Sequence, residues 1–116
     1  MDSVLARFKA LSDESRLRIL WMLEERELCV CEIQAILGLA QSTVSRHLQV
    51  LEDSGFVVSE RVGPWKNYRQ NPLPPPLVQG LLAHLRSAAE SFAEAGELRA
   101  RARGVCREEL CGRSVA

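Results

Sequence analysis

The sequence predicts a mainly α-helical winged helix-turn-helix domain that carries one β-hairpin and forms a dimer. Three observations support this fold class. Two short amphipathic segments are joined across Gly38, a strand-like segment folds back at Gly63-Pro64, and apolar residues recur every three or four positions from Val78 to Ala95. At 116 residues the chain suffices for one compact domain with its own core.

The N-terminal part reads as two helices. Helical spacing of apolar residues predicts a first helix over residues 4–10. Ser12-Asp13-Glu14 then offers a capping side chain and acidic residues for the first turn of a second helix, over 13–26. Its wide apolar stripe is typical of a helix that faces the core.

The next two helices have the spacing of a helix-turn-helix. A helix over 30–37 is expected to end at Gly38 in a left-handed cap, and a second helix over 41–54 is expected to end at Gly55. Two helices joined by a tight glycine-containing turn are typical of a motif that places its second helix in the major groove of DNA.

The second of these helices carries short hydrogen-bonding side chains, one arginine and one histidine, which suit contacts with base edges and phosphates. The following segment, 56–70, predicts a hairpin whose basic residues would lie along the DNA backbone or minor groove. The predicted DNA-contacting residues are Gln41, Ser42, Thr43, Ser45, Arg46 and His47 on the helix, and Arg61, Lys66 and Arg69 in the hairpin.

Beyond the hairpin, residues 71–76 are proline-rich and predict a stiff connector. The apolar period that follows predicts one helix that packs lengthwise on a partner's helix. The predicted dimer interface consists of Val78, Leu81, Leu85, Ala88 and Phe92. We expect residues 1–103 to form the DNA-binding and dimerisation domain, and residues 104–116 to form a mobile tail that contains Cys106 and Cys111.

Composition limits the classes of protein to consider. The hydrophobic fraction of 47% and the charged fraction of 26% are ordinary for a globular domain, and no apolar run approaches the ~18 residues that a membrane span needs. The N-terminus lacks the pattern of a secretory signal, so we expect a cytoplasmic protein without a membrane partner. The formal net charge of zero does not by itself indicate a polyanion partner. The prediction of a DNA partner depends on the helix-turn-helix pattern instead.

Cys29 and Cys31 stand at the entry to the first helix of the helix-turn-helix. In a reducing compartment thiols persist as ligands or redox sensors more often than as structural disulfides, and soft sulfur selects thiophilic ions. The alternative is a pair of buried structural cysteines. Residues two apart on a helix point about 200° apart, so two sulfurs on one ion would require the first helical turn to shift.

Four segments together resemble the ArsR/SmtB family of metal-responsive repressors: residues 10–20, Glu27-Leu28-Cys29-Val30-Cys31-Glu32-Ile33, residues 42–51 and residues 63–69. The resemblance implies a homodimer on double-stranded operator DNA with dyad symmetry, released when an inducer binds. The Cys-Val-Cys stretch resembles members that respond to arsenite or antimonite, and also those that respond to cadmium or lead. We therefore expect arsenite or antimonite as inducer, with cadmium, lead or zinc as the alternative, and no organic cofactor.

The sequence departs from the arsenic-type pattern at Gln34, where some members carry a third cysteine. The third ligand therefore stays open among Cys106, Cys111, a partner subunit's cysteine, a small thiol and water. Members that bind zinc or nickel place ligands along the dimer helix. Here that segment offers only His84, so we expect no metal site there.

The sequence favours a repressor over other classes of protein. A thiol-dependent reductase is disfavoured because the chain has no Cys-x-x-Cys and no phosphate-binding glycine loop. We therefore predict that the chain is not an enzyme. A winged helix that binds only proteins, and a repressor that senses redox state through a reversible disulfide, remain alternatives.

Overall fold

The structure is a computed structural model that describes residues 1–106. The elements follow the order α1 (Asp2–Leu11), α2 (Glu14–Glu25), β1 (Leu28–Cys29), α3 (Val30–Leu37), α4 (Gln41–Asp53), β2 (Val57–Val62), β3 (Trp65–Gln70), α5 (Pro76–Ala89) and α6 (Ala93–Gly104). Within residues 1–106, every helix is too short or too polar to cross a lipid bilayer.

The helix ends confirm the local signals of the sequence. Asp13 caps α2 by accepting a hydrogen bond from the backbone N–H of Arg16 at 3.1 Å. Gly38 ends α3 with φ 70°, a left-handed conformation that an L side chain rarely adopts. The predicted helix-turn-helix is therefore confirmed, and α3 packs directly against α4.

A three-stranded antiparallel sheet has the order β1-β3-β2. The hairpin turns at Gly63, which has φ 60°, and pairs Val62 with Trp65. The two-residue strand β1, absent from the sequence prediction, pairs Leu28 with Tyr68 and Cys29 with Asn67. The cysteine segment is therefore anchored to the hairpin.

The single helix predicted across residues 78–95 is wrong, because the chain breaks at Ser91 and Phe92 into α5 and α6. The cause of the break is a tertiary packing contact. In α6, a short apolar face of Ala95, Leu98 and Ala102 is buried, and the break allows this face to pack along α2. The helix then continues to Gly104, beyond the point where its apolar period was expected to end.

Polar contacts fix α6 along α2. The two helices are linked by ion pairs from Arg18 to Glu94 and from Arg103 to Glu25, and Glu24 contacts Arg99 in the same way. These pairs are distributed over the length of both helices. The orientation of α6 is therefore set by charge as well as by burial.

Candidate nucleic-acid interface and thiol site

One face of α4 is available for DNA. Val44, Leu48 and Leu51 are fully buried and hold the helix on the core. On the opposite side Gln41, Ser42, Arg46 and Gln49 are exposed, whereas Thr43 and Ser45 are half-buried. The exposed set contains amide, hydroxyl and guanidinium groups that can pair with base edges or phosphates.

Gln49 was not among the sequence-predicted contact residues. It stands four residues after Ser45 and eight after Gln41, so helical spacing alone places all three on one face. That signal was present in the sequence. The structure confirms that Gln49 is exposed.

The prediction that His47 lies on the exposed face of α4 is wrong. Its side chain is only 14% exposed, and Nδ1 lies 3.2 Å from a terminal nitrogen of Arg16 and 3.9 Å from a carboxylate oxygen of Asp13. These contacts tie α4 to the start of α2. His47 therefore helps to position the helix on α2.

The tip of the hairpin is positively charged. Arg61 and Lys66 are both exposed and stand directly opposite each other in the β2–β3 register. Like charges at directly opposed positions destabilise an antiparallel pair, so this arrangement suits a tip that meets a polyanion. Arg69 is exposed further along β3, opposite Val58. Within residues 1–106, none of these three cations lies within 4.0 Å of a carboxylate.

The two candidate ligand cysteines straddle the start of α3. Cys29 is the N-cap residue, with extended backbone, and is only 1% exposed, whereas Cys31 lies in the first turn and is half-buried. The predicted bounds of this helix, 30–37, and the position of the pair at its entry are therefore confirmed. Since Cys29 lies just outside the helix, the 200° separation of side chains in a regular helix does not describe this pair.

A capping box holds Cys29 in place. Its thiol accepts a hydrogen bond from the backbone N–H of Glu32, and its own backbone N–H donates to the Glu32 carboxylate at 2.9 Å. Burial raises the pKa of the Cys29 thiol, and the nearby carboxylate adds to this increase. The backbone hydrogen bonds act in the opposite direction. Cys29 is thus a buried, neutral thiol at neutral pH.

A cleft of about 430 Å³ connects the thiols with both parts of the candidate DNA interface. The start of α3 forms one wall, the exposed face of α4 another, and the hairpin the third. The lining residues are Cys29, Val30, Cys31, Gln41, Ser45, Gln49, Arg61, Pro64, Trp65, Lys66 and Tyr68. Any ligand held by the thiols would thus be adjacent to side chains predicted to contact DNA.

The remaining candidate ligands of the sequence prediction are Cys106, Cys111 and His84. Among residues 1–106, no group of three or more His, Cys, Asp or Glu side chains could hold a metal ion. Cys106 is half-buried just beyond α6, and Cys111 lies outside the described residues. His84 is exposed on α5, and the described part of that helix forms no metal-binding cluster.

The predicted dimer interface is only partly available. Val78 is fully buried within its own subunit, so its assignment to the interface is wrong; it packs near Gly55 and Pro75. Leu81, Leu85 and Ala88 are half-buried. Phe92, 55% exposed, adjoins the ring of Trp21 with centroids 5.9 Å apart.

A second exposed apolar surface, missed in the sequence, lies on α1. Val4, Leu5 and Phe8 are 37%, 48% and 49% exposed. They share one face of the helix, as their spacing predicts. Large apolar residues clustered at a surface are typical of a protein interface.

Both the sequence and the fold of this chain are similar to those of known proteins. A model described as bacterial regulatory protein, arsR family, matches residues 13–59. The arsenic resistance transcriptional regulator ArsR1 of Pseudomonas putida is 38% identical over 93 residues, which cover 79% of this chain and 73% of that protein. The cadmium resistance transcriptional regulatory protein CadC of Listeria innocua is 47% identical over 62 residues, covering 53% of this chain and 52% of CadC.

A solved homodimeric winged helix-turn-helix DNA-binding domain from Mycobacterium bovis has a similar fold. It superimposes with a TM-score of 0.65 at 32% identity, covering 79% of this chain and 82% of that domain. The matched proteins are DNA-binding transcriptional regulators and not enzymes. The agreement of sequence, helix-turn-helix and hairpin establishes that this chain belongs to the ArsR family of bacterial regulatory proteins.

Proposed function

We propose that this transcriptional repressor binds operator DNA as a homodimer in the cytoplasm and releases it when arsenite or antimonite binds Cys29 and Cys31. The observation that carries the proposal is the cleft. It places Cys29 and Cys31 beside the exposed face of α4 and the basic hairpin tip, so a ligand and DNA would meet at one surface.

The chemistry of the thiols suits a trivalent metalloid. Each thiol condenses with one hydroxide of arsenite: an As–S bond forms, an As–O bond breaks, and the thiol proton leaves as part of water. With both cysteines in the reduced thiol form, this step itself needs no oxidant or reductant. A buried thiol in a largely apolar setting is compatible with this neutral reaction, whereas a divalent cation must expel both thiol protons into water.

Binding must also change the protein. Cys29 is almost completely buried and its sulfur is hydrogen-bonded into the cap of α3, so a ligand on that sulfur must disturb the cap at the β1–α3 junction. The junction is anchored to the hairpin through Cys29 and Asn67, and α3 packs on α4. A shift stabilised by the inducer therefore disfavours the DNA-binding arrangement by the same coupling free energy, typically ~1–3 kcal/mol per linked site.

The proposed dimer buries the exposed apolar face of α1 together with Leu81, Leu85 and Ala88 of α5. The homodimeric state of the similar domain from Mycobacterium bovis supports a homodimer, and the exposed apolar residues of this chain support the choice of interface. Two recognition helices related by a two-fold axis would contact two operator half-sites with dyad symmetry.

The second candidate is a sensor of cadmium, lead or zinc. Similarity to CadC of Listeria innocua favours it. Thiol oxidation would be a third trigger at the same cysteines.

These three triggers can be distinguished by titrating a labelled operator complex and measuring its fluorescence anisotropy. The titrants are arsenite, antimonite, cadmium, lead, zinc and peroxide. Release by arsenite or antimonite at the lowest concentration supports the proposal, and release by divalent ions or peroxide alone contradicts it.

Substitutions in the recognition helix and in the hairpin should affect operator binding in different ways. Arg46→Ala should cost ~1–3 kcal/mol of operator binding and alter base preference, because Arg46 is exposed on the recognition helix. Lys66→Ala should weaken binding to all sequences alike and reduce the salt slope by about one, because it would contact phosphate. Anisotropy at several salt concentrations, on specific and scrambled DNA, measures both effects. Unchanged affinity in both variants would place the DNA elsewhere.

A further inference from the structure

Glu32 is a buried acidic residue outside the proposed ligand set. Its side chain is 3% exposed, and its two oxygens have separate partners. One oxygen accepts the backbone N–H of Cys29 at 2.9 Å, and the other accepts a terminal N–H of Arg26 at 2.9 Å. A buried carboxylate is tolerated only when it is paired and hydrogen-bonded, so these contacts hold the three residues together.

Arg26 extends this chain of hydrogen bonds to the C-terminal end of α6. Its Nε donates to the carbonyl of Ala102 at 2.8 Å, and a terminal nitrogen donates to the carbonyl of Val105 at 2.6 Å. Carbonyls at a helix C-terminus lack partners within the helix, so a guanidinium is a suitable cap for α6. The backbone of Cys29 is thereby connected through two side chains to the end of α6.

The closed arrangement keeps inducer out. With Cys29 only 1% exposed, no reagent can reach its sulfur until the β1–α3 junction opens. Opening separates the Cys29 N–H from Glu32, so the buried carboxylate loses one of its hydrogen bonds while it remains paired with Arg26. The Glu32–Arg26 pair therefore stabilises the closed state specifically, and a ligand of the open state must overcome that preference.

We infer that Glu32 and Arg26 act as a positioning pair that keeps Cys29 closed and sets the inducer concentration at which the repressor opens. This inference rests on the proposed function for its inducer. Weakening the pair should lower the inducer concentration at which the repressor opens. As long as the closed state remains in large excess, operator affinity without inducer should hardly change, because the DNA-binding population is then nearly constant.

The first test measures opening without any inducer. In a chain with Cys31→Ser, Cys106→Ser and Cys111→Ser, only Cys29 can react with iodoacetamide, and its alkylation rate reports opening. Glu32→Ala should raise that rate about tenfold, in line with the loss of a helix cap. Glu32→Gln, which keeps an oxygen for the Cys29 N–H, should give a smaller increase. Arg26→Lys, which keeps the charge but loses the planar donor geometry, should do likewise.

A matched control is available on the same pair of helices. Glu25→Gln removes the ion pair with Arg103 at 3.1 Å, which also links α2 to α6 but is not part of the Cys29 cap. It should alkylate at the parental rate. The rates are repeated in low urea, because labelling through global unfolding rises steeply with denaturant whereas labelling through local opening does not.

The second test uses the chain with all its cysteines and the operator complex. Glu32→Ala should lower the arsenite concentration for half-release about tenfold, with operator affinity before addition within about twofold of the parent. The inference is overturned if Glu32→Ala and Glu25→Gln alkylate alike, if the increase depends steeply on urea, or if half-release is unchanged. If the parent never releases the operator with arsenite, the proposed function fails, while the alkylation test still decides on the positioning pair.

Discussion

Replacing Cys29 and Cys31 together with serine should leave operator affinity within about twofold of the parent and abolish release by arsenite. Serine is one of the best N-cap residues, so it can replace the Cys29 thiol in the cap of α3 and preserve the helix. Its hydroxyl is a poor ligand for a soft ion. The measurement is anisotropy of a labelled operator during an arsenite titration, with each single variant included.

The control for this experiment is the Cys106→Ser, Cys111→Ser chain. It should still respond to arsenite if two sulfurs suffice to open the β1–α3 junction, and should lose the response if a third sulfur from this segment is essential. The result decides whether Cys106 or Cys111 supplies an essential third sulfur. A Cys29→Ser, Cys31→Ser chain that is released at the parental arsenite concentration would refute the proposed sensing site.

Phe8→Glu should convert the dimer to monomers and reduce operator affinity by at least about a hundredfold. Phe8 is 49% exposed in the single subunit, so glutamate there leaves the core intact but would bury a charge between two subunits. Two linked recognition helices gain affinity through effective concentration, which a monomer loses. Analytical ultracentrifugation gives the mass, and anisotropy gives the affinity.

Ser3→Glu provides the comparison, because it adds the same charge to an exposed position of α1 about 140° around the helix from Phe8. It should remain dimeric and bind the operator normally. Dimeric Phe8→Glu would exclude α1 from the interface. A monomer that binds the operator at parental affinity would contradict the two-fold mode of binding.

The elements with strong local signals could be predicted from the sequence. Asp13 and Gly38 mark helix ends through interactions within a few residues, and both act as expected. The break at Ser91 and Phe92 could not, since Glu90-Ser91-Phe92 contains neither glycine nor proline. Its cause is the packing of α6 on α2, which joins residues more than 70 positions apart.

In the candidate site, too, local sequence signals predicted some features, whereas others depend on contacts that are distant in the sequence. Helical spacing placed Gln41 and Arg46 on the outer face of α4, but His47 turns inward because of Arg16, 31 residues earlier in the chain. The capping box at Cys29 was also missed, because the usual sequence pattern has serine or threonine at its first position. Here a cysteine takes that position, so one residue serves both as helix cap and as candidate ligand.

The shared cleft has a consequence for repressor molecules that are not on DNA. Coupling between two ligands is reciprocal: if inducer weakens operator binding by a given factor, the operator weakens inducer binding by that same factor. Under the proposed function, unbound dimers would therefore take up the metalloid first and act as a buffer. The more repressor a cell held in excess of its operators, the more toxicant it would absorb before transcription began, so expression level would set the delay as well as the depth of repression.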